Sequence, residues 1–285
     1  MQEGAPIKDS VGAALRFLRE QWRFVITLAA AGASASALMT ALSLVPALGL
    51  FASLGAGLVQ AGVYAALIGA VLFGPATLRN RWLADGGRVW SAMVIVGFIL
   101  SIIFFVLSIV AMIVLAAGPL AAYRQALEQA GQDPSAVTAV FVRFAQENPA
   151  LMLALALGFG AIWLFLTSRL YFAAPATVEQ GRILTFETWN WTRGAVIRIV
   201  AARLLLLVPA NILTGVLGYF AGRAVGVDTM DFTAAMSAAS TSNAGFVAYV
   251  LMASFVAFAL YSALEAALST YLYRALKPAP PTAAA

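Results

Sequence analysis

The chain has 285 residues, 62% of them hydrophobic and 10% charged, with a mean hydropathy of +0.92. Soluble domains carry about 25% charged residues, so the composition excludes an ordinary water-soluble globule and places the chain among membrane proteins. The absence of Cys and His removes disulfides, thiolate metal sites, cysteine nucleophiles and imidazole acid–base chemistry, and the net charge of +5 falls at the ends of apolar runs, which argues for membrane orientation and against nucleic-acid binding.

A spanning helix needs roughly 20 mainly apolar residues. The stretch from Phe24 to Leu78 contains no charged residue and is too long for one span; Pro46 and Gly49 supply the break. Spans are expected near 24–45 and 54–76. The third, near 89–117, is the clearest, and further spans are expected near 149–170, 197–221 and 245–273. The stretch "AGASASA" after Phe24–Ala30 resembles a signal-peptide cleavage site. The 23 residues before Phe24 are long for a leader and read as an amphipathic helix, so the segment is expected to be retained.

The basic residues orient the spans. With the N-terminus in the cytoplasm, the inner set is Lys8, Arg16, Arg19, Arg23, Arg79, Arg81, Arg88, Arg169, Arg182, Arg193, Arg198, Arg203, Arg274 and Lys277. Only Arg124, Arg143 and Arg223 fall outside, 14 against 3. The acids Glu128, Asp133, Glu147, Asp228 and Asp231 fall in outer loops. Six spans with both termini inside follow. The inner acids are Glu3, Asp9, Glu20, Asp85, Glu179 and Glu187, so 14 basic residues less 6 acidic ones leave the cytoplasmic collar at +8.

Three inner segments, 13–28, 79–94 and 186–201, each set Trp beside Arg just before a span. Each is expected as an interfacial helix, giving three units of interfacial helix plus helical hairpin. The outer connection 118–148 is long, and its periodicity on either side of Asp133-Pro134, a helix-start signal, predicts a surface helical pair. The last outer loop, from Asp228 to Gly245, is polar and expected to be mobile, and the tail 278–285 is expected to be disordered.

Ionisable groups inside a span are costly, which singles out Arg203 and Glu265. Arg203 lies about 12 Å along the fifth span and Glu265 about 14 Å before Arg274 on the sixth, at roughly 1.5 Å per residue. Matching depths predict an intramembrane ion pair. A structural pair that pins two helices is favoured over a proton or ligand site, because no polar pathway accompanies it. Gly55, Gly62, Ala66 and Gly69 share one face of the second span and allow close helix packing, with a dimer face as the alternative. Tyr261, Tyr271, Tyr273, Trp163, Tyr171 and Phe172 are expected as an aromatic belt at the inner interface. Pro209 and Asn211 read as a kink whose freed carbonyls the amide satisfies. No paired carboxylates, phosphate loop or nucleophile elbow is present.

The segment "SRLYFAAPATVEQGRILTFETWNWTRGAVIRIV" (168–200) resembles the signature of a bacterial family of six-helix membrane proteins. That family includes the membrane domain attached to glycerophosphoryl diester phosphodiesterases. Arg169, Ala174, Pro175, Trp191, Thr192, Arg193 and Gly194 carry the likeness. It implies an accessory or organising membrane domain, with Arg193 on lipid phosphate or capping the turn and Thr192 as N-cap of the fifth span. The attached phosphodiesterase domain depends on His and an acidic metal cluster, so its activity does not carry over.

The expected fold is therefore an all-α integral membrane protein, one domain over residues 1–277. The expected function is non-enzymatic, an accessory or scaffolding protein of the bacterial inner membrane. It would bind anionic lipid headgroups through Arg169, Arg193, Arg198, Trp189 and Trp191, with a membrane-protein partner or homodimer as further possibilities. No catalytic residue, metal, cofactor or nucleic acid is implied. The alternative is a transporter or lipid carrier with a cavity around Arg203, Glu265 and Asn211.

Overall fold

The computed structural model describes residues 7–76, 81–229 and 244–278. It is 88% helical, with no strand among the described residues. Among the described residues, six helices are long and apolar enough to cross a membrane. In chain order the elements are α1 (Ile7–Glu20), α2 (Trp22–Ser43), α3 (Gly49–Phe73), α4 (Trp82–Ala117), α5 (Arg124–Ala130), α6 (Pro134–Glu147), α7 (Pro149–Arg169), α8 (Ala173–Gln180), α9 (Thr188–Trp191), α10 (Val196–Ala224), α11 (Ala244–Val256) and α12 (Ala263–Leu276). A π-helical segment, Ala257–Ser262, joins α11 to α12. The α2–α3 break falls where Pro46 and Gly49 predict it: α2 stops at Ser43 and α3 starts at Gly49.

The chain divides into two compact units, 1–95 with 168–285 and 96–167. In the first, α2 packs along α3 and α11, and α12 packs on α1 and α3. In the second, Phe104 meets Phe159 with ring centroids 6.1 Å apart. Leu115, Leu120 and Phe144 form a small core there. The helical pair expected on either side of Asp133-Pro134 is present as α5 and α6. Asp133 caps α6: the Ser135 amide donates to its carboxylate at 2.9 Å, and Pro134 occupies the first helical position, where its missing N–H costs nothing. Tyr123 and Arg143 both donate to Glu147 at the far end of α6.

The three segments expected to be interfacial helices have different forms. α1 is a separate helix that buries Ser10, Ala14 and Phe17 along one stripe while Lys8, Arg16 and Arg19 stay exposed. In the second segment α4 runs without a break from Trp82 to Ala117, although it contains Gly86 and Gly87. Gly86 is used for contact: a Cβ there would come within 3.0 Å of the Gly62 Cα on α3. The third segment is one helical turn, α9, followed by α10. On the glycine face of α3, Gly55 packs within the chain, since a Cβ there would lie 2.5 Å from Met39 Sδ of α2. Most of the last outer loop (230–243) and most of the tail (279–285), with Arg79 and Glu3, fall outside the described residues.

Candidate functional site

The segment that carries the resemblance folds as one module at the junction of α7 and α10. After α7 ends at Arg169, α8 runs to Gln180 and Gly181 turns the chain in the left-handed region at φ 64°. Thr177, fully buried in α8, closes the following loop. Its Oγ1 accepts from the Leu184 amide at 3.0 Å and donates to the Leu184 carbonyl at 3.2 Å. Gly194, at φ 82°, ends the α9 turn and lets α10 begin at Val196.

Thr192 corrects the sequence reading. The N-cap of α10 is Ala195, which makes no side-chain cap bond. Thr192 instead lies fully buried. Its hydroxyl donates to the carbonyls of Trp189 at 2.9 Å and Arg169 at 3.1 Å. It ties the α9 turn to the end of α7, 23 residues earlier. A hydroxyl at this spot serves tertiary structure rather than a helix start, and nothing in the local spacing distinguishes the two uses.

The aromatic belt is also corrected. Phe172 and Tyr273 are fully buried, and Tyr171 is buried as well. The Tyr273 ring stands 6.0 Å from Phe172 and 6.1 Å from Trp191. These rings form a core that seats the module on α12, and the Tyr273 hydroxyl donates to Glu179 of α8. Trp163 on α7 is exposed, and Tyr261 and Tyr271 are half-buried. A large ring two helical turns from a chain end fits a belt and a core equally well by composition, so only the tertiary packing separates them.

The basic collar falls into two groups. Many of its members are committed to the protein. Arg274 donates to the Leu72 carbonyl at 2.6 Å and closes the C-terminal end of α3. Lys277 pairs with Glu179 at 2.6 Å, Arg88 with Asp85 at 2.8 Å and Arg182 with Glu187 at 2.9 Å. The Arg169 guanidinium lies 4.6 Å over the Trp189 ring. Trp189 and Trp191 are half-buried. Arg193 and Arg198 are exposed, one on the turn after α9 and one on the first turn of α10. Of the five residues expected to bind headgroups, these two present their charge to the surroundings, while Arg169 stacks on Trp189 and Trp191 packs against Tyr273.

Arg203 is buried, at 6% exposure. Its Nη1 donates to Ser168 Oγ at 2.7 Å, and its guanidinium lies 4.8 Å over the Tyr171 ring. Glu265 is half-buried on α12 and lies within electrostatic reach of Arg203, Tyr64, Tyr171 and Tyr261. The two charges thus lie within electrostatic reach of each other. Sequence reasoning missed Ser168 as a partner for the guanidinium, because a serine at a helix end gives no such signal. Asn211 is exposed, two residues past Pro209 in an uninterrupted α10. A cleft of ≈ 720 Å³ is lined by α2, α3 and the start of α4, and none of Arg203, Glu265 and Asn211 lines it.

Comparison with family models, curated proteins and solved structures returns no match.

Proposed function

We propose that the protein spans the bacterial cytoplasmic membrane six times as three hairpins, with both termini in the cytoplasm and the Trp–Arg segments at the inner interface. There it binds anionic phospholipid headgroups as a non-enzymatic accessory or scaffolding protein. The likeness of residues 168–200 to the phosphodiesterase-linked membrane domains supports an organising role. Arg203 and Glu265 act in this reading as a charge-coupled structural pair that holds α10 against α12.

One observation carries the headgroup assignment. Arg274, Lys277 and Arg169 are taken up by a carbonyl, a carboxylate and a ring, whereas Arg193 and Arg198 stand exposed at the start of an apolar helix. Anionic headgroups attract such residues at about 1 kcal/mol each. Removing both charges should therefore weaken anionic-lipid binding roughly 30-fold. Native mass spectrometry of the protein released from nanodiscs of phosphatidylglycerol and phosphatidylcholine measures it. Arg193→Gln with Arg198→Gln should lose the preference for phosphatidylglycerol. An unchanged preference rejects the assignment.

A further inference from the structure

The ≈ 720 Å³ cleft belongs to the unit that holds the module, yet the headgroup reading makes no use of it. Its volume lies in the range of ligand sites, about 300–1,000 Å³. Its walls are apolar: Phe24 and Ala35 on α2, Leu58 and Gly62 on α3, Pro75 beyond α3, and Trp82 at the start of α4. Gly62 is buried, yet a Cβ built there meets nothing within 4 Å. The space a side chain would fill is therefore open, and Gly62 forms part of the cleft wall.

The length of the cleft matches half a bilayer. Along α2 it extends from Phe24 to Ala35, which at 1.5 Å per residue is about 16 Å. The hydrocarbon core is about 30 Å thick, so one leaflet is about 15 Å. Charged residues adjoin one end of the cleft in sequence. Arg23 precedes the lining residue Phe24, Arg81 precedes the lining residue Trp82, and both arginines are exposed. The other end reaches residues with no charged neighbour in sequence.

We propose that this cleft holds one acyl chain of a phospholipid from the inner leaflet, with the phosphate of that lipid at Arg23 and Arg81. The inference rests on the membrane-spanning reading and is independent of the Arg193–Arg198 headgroup site. A chain held between α2, α3 and α4 is a resident lipid with a fixed place. The lipid around Ile26 and Leu38, two exposed α2 side chains, is by contrast exchangeable solvent.

The test uses the full chain in nanodiscs containing phosphatidylglycerol with a diazirine near the end of one acyl chain. After irradiation, adducts are mapped by peptide mass spectrometry. Adducts should concentrate on residues 31–35 and 58–66. In Gly62→Leu, which fills the open space, they should fall to the level found at Ile26 and Leu38. Ala35→Phe, a half-buried wall position, should do the same if Gly62→Leu fails to fold. Arg23→Gln with Arg81→Gln should lower cleft labelling while leaving the Arg193–Arg198 preference intact. Three results overturn the proposal: labelling of the cleft equal to that of Ile26 and Leu38 in the wild type, labelling by a diazirine fatty acid but not by the phospholipid, or cross-linking of the cleft to a second copy of the chain. Recovery of the protein outside the membrane fraction would reject the spanning reading as well.

Discussion

Replacing Thr192 by Val keeps the shape of a fully buried side chain and removes its only polar atom. In the wild type that atom donates to the carbonyls of Arg169 and Trp189, at 3.1 and 2.9 Å. One proton serves both acceptors, so the favourable part is that of a single net hydrogen bond, about 0.5–1.5 kcal/mol. The variant also leaves a buried carbonyl unsatisfied, which raises the cost toward about 3 kcal/mol. A loss of about 1–3 kcal/mol is therefore expected. Thr192→Ser retains the hydroxyl and gives up one methyl, worth about 0.8 kcal/mol. Unfolding by SDS titration from mixed micelles, followed by tryptophan fluorescence, measures the differences, and Trp189 and Trp191 flank the site and report on the module. If Thr192→Val matches the wild type, or costs less than Thr192→Ser, the hydroxyl does not tie α9 to α7.

Further outcomes follow from other contacts. Arg203→Leu and Glu265→Gln should be non-additive by roughly 0.5–3 kcal/mol in the same titration, and strictly additive losses would show that the two charges do not interact. Gly194→Ala places a side chain at φ 82° with no atom in its way, so its cost should be backbone strain alone, about 1–2 kcal/mol, and Asn at that position should cost less. The Tyr123 phenol, and then Arg143, hold the Glu147 carboxyl below the usual carboxylate range. Because that value is lowered by folding, the stabilisation is complete above the ordinary carboxylate range and is lost as pH falls through the lowered one. Hydrogen-exchange protection at the end of α6 should thus fall on acidification, and Tyr123→Phe should move the carboxyl titration, followed by NMR, back toward its ordinary range. A Glu147 titration that Tyr123→Phe leaves unchanged would remove the phenol as the cause.

The six apolar helices were legible because each is a property of a continuous stretch: hydrocarbon thickness fixes the length and composition supplies the rest. Asp133-Pro134 marks the start of α6 for the same reason, since the cap involves only residues two apart. The site was less legible. The Arg274 guanidinium closes a helix 202 residues away, and Thr192 reaches back 23 residues. Neither partner is encoded in the residues around it. Arginines counted as a uniform collar divide into those that hold the fold and those that face outward, and that division depends on which carbonyl or carboxylate the tertiary structure brings near. In α4 the role of Gly86 is likewise tertiary: it lets α4 approach Gly62 of α3, where a Cβ would come within 3.0 Å of the Gly62 Cα.

The π-helical segment Ala257–Ser262 has a consequence for any effort to re-engineer this protein. A π turn closes i→i+5 rather than i→i+4 bonds and so takes up one residue more than a regular helix over about the same arc. The segment works as a slack link between α11 and α12. Excising a single residue from 257–262 would tighten the link into regular α geometry while leaving Glu265 facing nearly the direction it faces now, whereas the same deletion inside α11 or α12 would turn everything beyond it by about 100°.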